Sequence, residues 1–130
     1  MIVLDASAIL EVLLQTPSAK RVSKRIFARG ETLHAPHLLD LEVAQVLRRY
    51  CAHGELREDR AGEAIVDLLD FPLTRYPHDL FLGRIWELRA GMTAYDASYV
   101  ALAEALPGPL VTRDSRLARS SGHRARVELV

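Results

Sequence analysis

The stretch "MIVLDASAIL", residues 1–10, decides the fold. Ile2, Val3 and Leu4 form a short, continuously apolar run of the kind that makes a strand buried on both faces. The run stops at a carboxylate, Asp5, and "ASAILEVLLQ" then takes up helical spacing, with Ser7 or Asp5 available as the N-cap. A buried strand feeding directly into a helix is the opening of a parallel α/β sheet. It also leaves a question: what an aspartate does at the end of a buried strand.

Working outward, the same alternation recurs. Residues 17–30, "PSAKRVSKRIFARG", read as a second helix, with Pro17 near its start and Gly30 past its end. "TLHA" (32–35) is a short strand, Pro36 marks a helix start, and "HLLDLEVAQVLRRYCAH" (37–53) is a long helix ending at Gly54. A further helix fits "REDRAGEAIVDLLDF" (57–71), followed by a strand in "PLTRYP" (72–77) and a helix in "DLFLGRIWELRAG" (79–91). Then come a helix in "TAYDASYVALAEAL" (93–106), closed by Pro107 and Gly108, a strand in "PLVT" (109–112), a helical turn in "DSRLARS" (114–120) and a last strand in "RVELV" (126–130). The expected architecture is α/β, a parallel sheet of short strands with helices on both faces, in one domain over residues 1–130.

Composition sets the bounds. The chain of 130 residues is long enough to bury a core without disulfides or metal staples. Cys51 is the only cysteine, so no internal disulfide forms, and it is given no role. The start has no basic segment leading into a long apolar one, and no later run spans a bilayer; a cytoplasmic protein with no membrane contact is expected. Seventeen basic residues balance seventeen acidic ones. If four acids are gathered around metal, what remains is a modestly basic shell.

Four acids carry the chemistry. Asp5 follows "MIVL" and Asp114 follows "LVTR", which puts both beyond the carboxyl ends of strands, where open parallel sheets bind ligands at the point of strand reversal. Taken singly, each reads more readily as a routine cap or turn residue. Asp96 lies in "TAYDASYVALAEAL", where only it and Glu104 are charged and the helix is otherwise apolar or small all round. A carboxylate buried there needs a partner or a metal, or else completes a capping box with Thr93. In "HLLDLEVAQVLRRY", Asp40 and Glu42 point about 200° apart on a helix, so only one faces the core. Glu42 falls between Leu38 and Val46 inside the apolar stripe, whereas Asp40 reads as a solvated acid in the first turn. Inward acids without a histidine or cysteine cluster suit a hard cation, Mg2+ or Mn2+, better than zinc. Such a site grips phosphate and serves phosphodiester hydrolysis.

In this order, the motifs "MIVLDASAIL", "LLDLEVAQVLRR" and "TAYDASYVALAEALPGPLVTRDSRLA" resemble those of the PIN-domain ribonucleases, particularly the VapC toxins of bacterial toxin–antitoxin pairs. The resemblance covers essentially the whole chain. It implies a PIN fold, a three-layer α/β/α arrangement around about five short parallel strands, and Mg2+-dependent endoribonuclease activity in which Mn2+ can substitute. It further implies a metal site of Asp5, Glu42, Asp96 and Asp114, with Ser7 and Thr112 as hydroxyl helpers. The implied substrate is structured RNA such as tRNA or rRNA, and the implied partners are a VapB-like antitoxin and a second copy of the chain in a homodimer. Some relatives carry a further acid three residues after the Asp114 position, where Leu117 stands here.

Other residues carry competing readings. Arg113 and Arg116 flank Asp114 and are candidates for RNA phosphates or plain surface arginines. The basic residues Lys20, Arg21, Lys24, Arg25 and Arg29 offer a second RNA-facing surface. The five histidines fall at no metal-ligand spacing and read as surface or loop residues. Phe81, Leu82, Ile85 and Trp86 form a stripe for the core or an interface. Two rival functions are a Mg2+-dependent phosphatase, which wants a second Asp where Ser7 stands, and a binding module that kept this fold without its chemistry.

Overall fold

In the computed structural model, which describes residues 1–130, Ile2–Leu4 form the first strand, β1, and the helix α1 (Ala6–Leu13) follows after one residue. The chain continues through α2 (Ala19–Ile26), β2 (Leu33–Pro36), α3 (Leu38–Ala52), α4 (Glu58–Asp70) and β3 (Leu73–Tyr76). A 3-10 turn (His78–Phe81) leads into α5 (Leu82–Glu87), then α6 (Ala94–Ala105), β4 (Leu110–Thr112), α7 (Ser115–Ala118) and β5 (Val127–Leu129). All four strand pairs are parallel, in the order β3-β2-β1-β4-β5. From β1 the chain steps outward to β2 and β3, then returns to the other side of β1. Strand order therefore reverses between β1 and β4.

Right-handed crossovers place the helices of the two outward walks on opposite faces. The contacts agree: α1 packs on α2 and α3, and α3 on α4, while α5 packs on α6, which lies across β1, β2 and β4. The central strands are sealed between these layers, with Ile2, Val3, Leu4, Leu110 and Val111 fully buried. Burying each such side chain contributes about 2 kcal/mol. Gly108 is required where α6 turns into β4: a Cβ there would lie 1.8 Å from the Met1 carbonyl oxygen.

Several local expectations change. Pro36 does not start α3; it ends β2, and because it has no N–H the next ladder bond to the Tyr76 carbonyl is made by His37 at 2.9 Å. The helix expected over 79–91 divides into the 3-10 turn and the short α5. His34 is not a surface residue: it is buried in β2, held between Thr32 Oγ1 and Tyr76 OH, each at 2.8 Å, and burial lowers its pKa. Asp40 stands in the first turn of α3 with its side chain 37% exposed, as expected, but it is also paired: Arg75 reaches it at 2.7 Å and ties α3 to β3. In the stripe on α5, Ile85 is core, whereas Leu82 and Trp86 are exposed. No helix is long and apolar enough to cross a membrane.

Candidate active site

The reversal between β1 and β4 fixes the first two acids. Asp5 is the residue after β1 and N-caps α1, its Oδ1 accepting from the Ala8 N–H at 3.0 Å. The cap is thus Asp5 and not Ser7, whose hydroxyl instead donates to Asp5 Oδ1 at 2.7 Å. Thr112, at the end of β4 and wholly buried, donates to the other oxygen, Oδ2. The same threonine hydroxyl accepts from the Asp114 N–H at 2.9 Å, and Ser7 Oγ accepts from the Arg113 N–H at 2.9 Å. These two hydroxyls stitch the ends of β1 and β4 together and lock the Asp5 carboxylate in one orientation.

Asp114 caps the short α7 through the N–H groups of Arg116 and Leu117. Leu117, where some relatives carry another acid, points into the core. Asp96 sits in the first turn of α6. Only half of the capping box forms there: Thr93 accepts from the Asp96 N–H at 3.1 Å, while the Asp96 carboxylate faces Arg116. From α3, Glu42 enters the same groove and accepts from Tyr99 OH at 2.5 Å.

All four acids line one open groove of about 700 Å³, flanked by apolar side chains that include Leu38, Leu41, Val46 and Tyr95. Charge is crowded there. Burial raises the pKa of Asp5, against the hydrogen bonds from Thr112, Ser7 and the Ala8 N–H, and the nearby Asp114 raises it further. Burial likewise raises Glu42, opposed by the Tyr99 bond and reinforced by Asp5 and Asp96. Asp96 Oδ2 is a buried acceptor with no aligned donor. Its close neighbour is the Arg116 guanidinium, with Nη2 3.0 Å from both Asp96 Oδ2 and Asp114 Oδ2.

An all-oxygen, acidic donor set with an orphaned buried carboxylate oxygen fits a hard divalent cation. No three of the acids gather tightly enough to cage one as they stand. Asp96 and Asp114 lean on Arg116 rather than on each other, and Glu42 leans on Tyr99.

The two flanking arginines separate. Arg113 lines the groove half-buried, with its guanidinium engaged by the Val130 carbonyl and Ser18 Oγ and 3.6 Å from Glu11. Arg116 is 65% exposed and at the acids. Among the basic residues of α2, Arg25 is committed to Glu128 and Glu31, while Lys20, Arg21 and Lys24 remain on the surface with Arg29 just beyond the helix. Sequence reasoning missed Tyr99. Its signal was a tyrosine on an otherwise small, apolar helix, since a buried phenol needs a partner for its hydroxyl. Burial first, then the Glu42 charge, raise its pKa, so it stays protonated and remains a donor.

The comparisons with known proteins converge. The PIN domain model matches residues 2–122. Ribonuclease VapC12 of Mycobacterium tuberculosis is 44% identical over 130 residues, covering 100% of this chain and 99% of that protein. Among solved structures, VapC20 of M. tuberculosis, described as a sarcin-ricin loop cleaving toxin, superposes with a TM-score of 0.68 at 16% identity, over 98% of this chain and 100% of that one. VapBC2 of Rickettsia felis, solved with a DNA fragment of its promoter, gives 0.67 at 14% identity, over 99% and 98%.

Proposed function

The chain belongs to the PIN-domain family, among the VapC ribonucleases, and we propose that it is an endoribonuclease toxin that hydrolyses RNA phosphodiesters using Mg2+ or Mn2+ held by Asp5, Glu42, Asp96 and Asp114. The observation that carries the reading is the meeting of these four acids, from four separate segments, in one groove at the strand reversal.

When bound, the cation supplies Lewis acidity toward the phosphate and a water of lowered pKa. The chain's own residues do the rest. Ser7, Thr112 and the Ala8 N–H fix Asp5, so that ligand needs little ordering when it engages. Tyr99 occupies Glu42 Oε1, which leaves the second oxygen for the cation or for the proton of an attacking water. The raised proton affinity of Glu42 suits the second task. The substrate in this reading is structured RNA, tRNA or rRNA.

The same reading includes a VapB-like antitoxin and a homodimer. The groove pairs acids with the exposed Leu41 and Tyr95, a surface complementary to a segment that carries apolar side chains and a basic one. Ser7 stands where a phosphatase of the rival class needs its second aspartate, and here it braces Asp5 instead.

The test is cleavage of total cellular RNA by the purified, antitoxin-free protein in Mg2+, in Mn2+ and in EDTA, beside Asp5→Asn. Discrete fragments that require the cation and disappear in the variant are expected. Absence of cleavage together with absence of any cation effect on melting would establish the silent binding module instead.

A further inference from the structure

Arg116 combines two properties that do not usually go together. Its backbone is fixed, because its N–H caps onto Asp114 Oδ1 at 2.9 Å, yet its side chain is 65% exposed and lies over the groove. Displacing the guanidinium therefore leaves the turn of α7 in place. The two contacts it makes also differ. Toward Asp114 Oδ2 it is aligned as a hydrogen bond at 3.0 Å; toward Asp96 Oδ2, also at 3.0 Å, it is close but misaligned, and that oxygen stays without an aligned donor. At Asp96 the guanidinium acts as a nearby positive charge more than as a donor. That is the part a divalent cation plays with greater charge and closer approach.

We propose that Arg116 is a displaceable resident counter-ion, which competes with the divalent cation for Asp96 and Asp114 and so sets the cation concentration at which the site loads. The inference rests on the metal-dependent reading above and adds to it a threshold built into the chain. An exposed arginine suits this use: one ion pair in solvent contributes little, so the cation can evict it. The contrast within the molecule is Arg113, whose guanidinium donates to the Val130 carbonyl and to Ser18 Oγ and pairs with none of the four acids.

The experiment is Mn2+ titration of the full chain, followed by electron paramagnetic resonance of the unbound ion, for the wild type, Arg116→Gln, Arg116→Ala and Asp96→Asn. Both Arg116 variants are expected to bind Mn2+ about three- to tenfold more tightly than wild type, the scale of losing one or two exposed ion pairs. Binding equal to or weaker than wild type in both variants overturns the proposal, while weakened binding in Asp96→Asn in that same experiment leaves the metal-dependent reading standing. If no form binds Mn2+, both fall.

Discussion

Helix α6 carries two acids, Asp96 in its first turn and Glu104 near its end, and both meet an arginine. Glu104 is gripped by Arg84 through both oxygens, at 2.8 and 2.9 Å, and accepts the Arg124 N–H at 2.8 Å. The Arg84 bond draws its pKa down to about 2. Asp96 touches one exposed guanidinium out of alignment, so that its buried oxygen has a charge beside it but no hydrogen-bond donor. A buried acid with its hydrogen bonds completed is architecture, here fastening α6 to α5 and to the segment before β5. A half-buried acid left incomplete among other acids has no such fastening role, and in the proposed reading its spare oxygen is there for a cation.

The sharpest way to break this comparison is to remove one charge at each end of the helix. Asp96→Asn should lower RNA cleavage at least about a hundredfold, beyond the usual cost of losing a residue that merely supports a metal ligand. Its melting temperature should not fall, because the change relieves repulsion with Glu42. An active Asp96→Asn enzyme would end the functional half of the contrast. Next in size is Tyr99→Phe, which keeps the buried ring and removes the proton donated to Glu42. Cleavage should drop about tenfold or more, as for other groups that orient a ligand. Unchanged kinetics would mean that Glu42 needs no orientation.

Glu104→Gln should do the reverse, melting about 5 °C or more below wild type while cleaving RNA at the wild-type rate per folded molecule. Thermal melts and single-turnover cleavage on the same samples check both halves. A loss of activity without a loss of stability would place Glu104 in the wrong class.

How far the residues themselves announced this arrangement varies with the physics behind each. The run Ile2–Leu4 and the acids after β1 and β4 were legible because a parallel sheet exposes its ligand edge at the carboxyl ends of its strands. Glu42 rather than Asp40 followed from the helical wheel, since a stripe position must face inward. The partner of each side chain was not legible. Asp40 gave no sign of its ion pair, because Arg75 lies 35 residues away in sequence and is brought alongside only by β3. Arg113 and Arg116 looked alike in "TRDSR", and their divergence depends on where the chain end at Val130 and Ser18 lie. His34 carried no periodic signal of its own. Its burial follows from β2 sitting second in the sheet.

The smallest effect separates two glutamates that start from the same ordinary value of 4.5, Glu42 raised and Glu104 lowered. Glu104, lowered to about 2, contributes stability that is present above 4.5 and is lost as pH falls from there toward 2. Glu42, raised by burial, contributes favourably only below 4.5 and loses that contribution as pH rises through its folded value; at neutral pH its charge is a cost to the fold. Melting curves in EDTA should therefore show Glu42→Gln gaining a few degrees over wild type as pH climbs above 4.5, and Glu104→Gln losing its deficit as pH drops below it. Adding Mn2+ should erase the gain of Glu42→Gln, because the wild type then has a cation to offset the buried charge, and should leave the Glu104→Gln deficit unmoved. If Mn2+ shifts the two variants equally relative to wild type, the acids of the groove and the acid at the far end of α6 are doing the same job, and the distinction between site and scaffold fails.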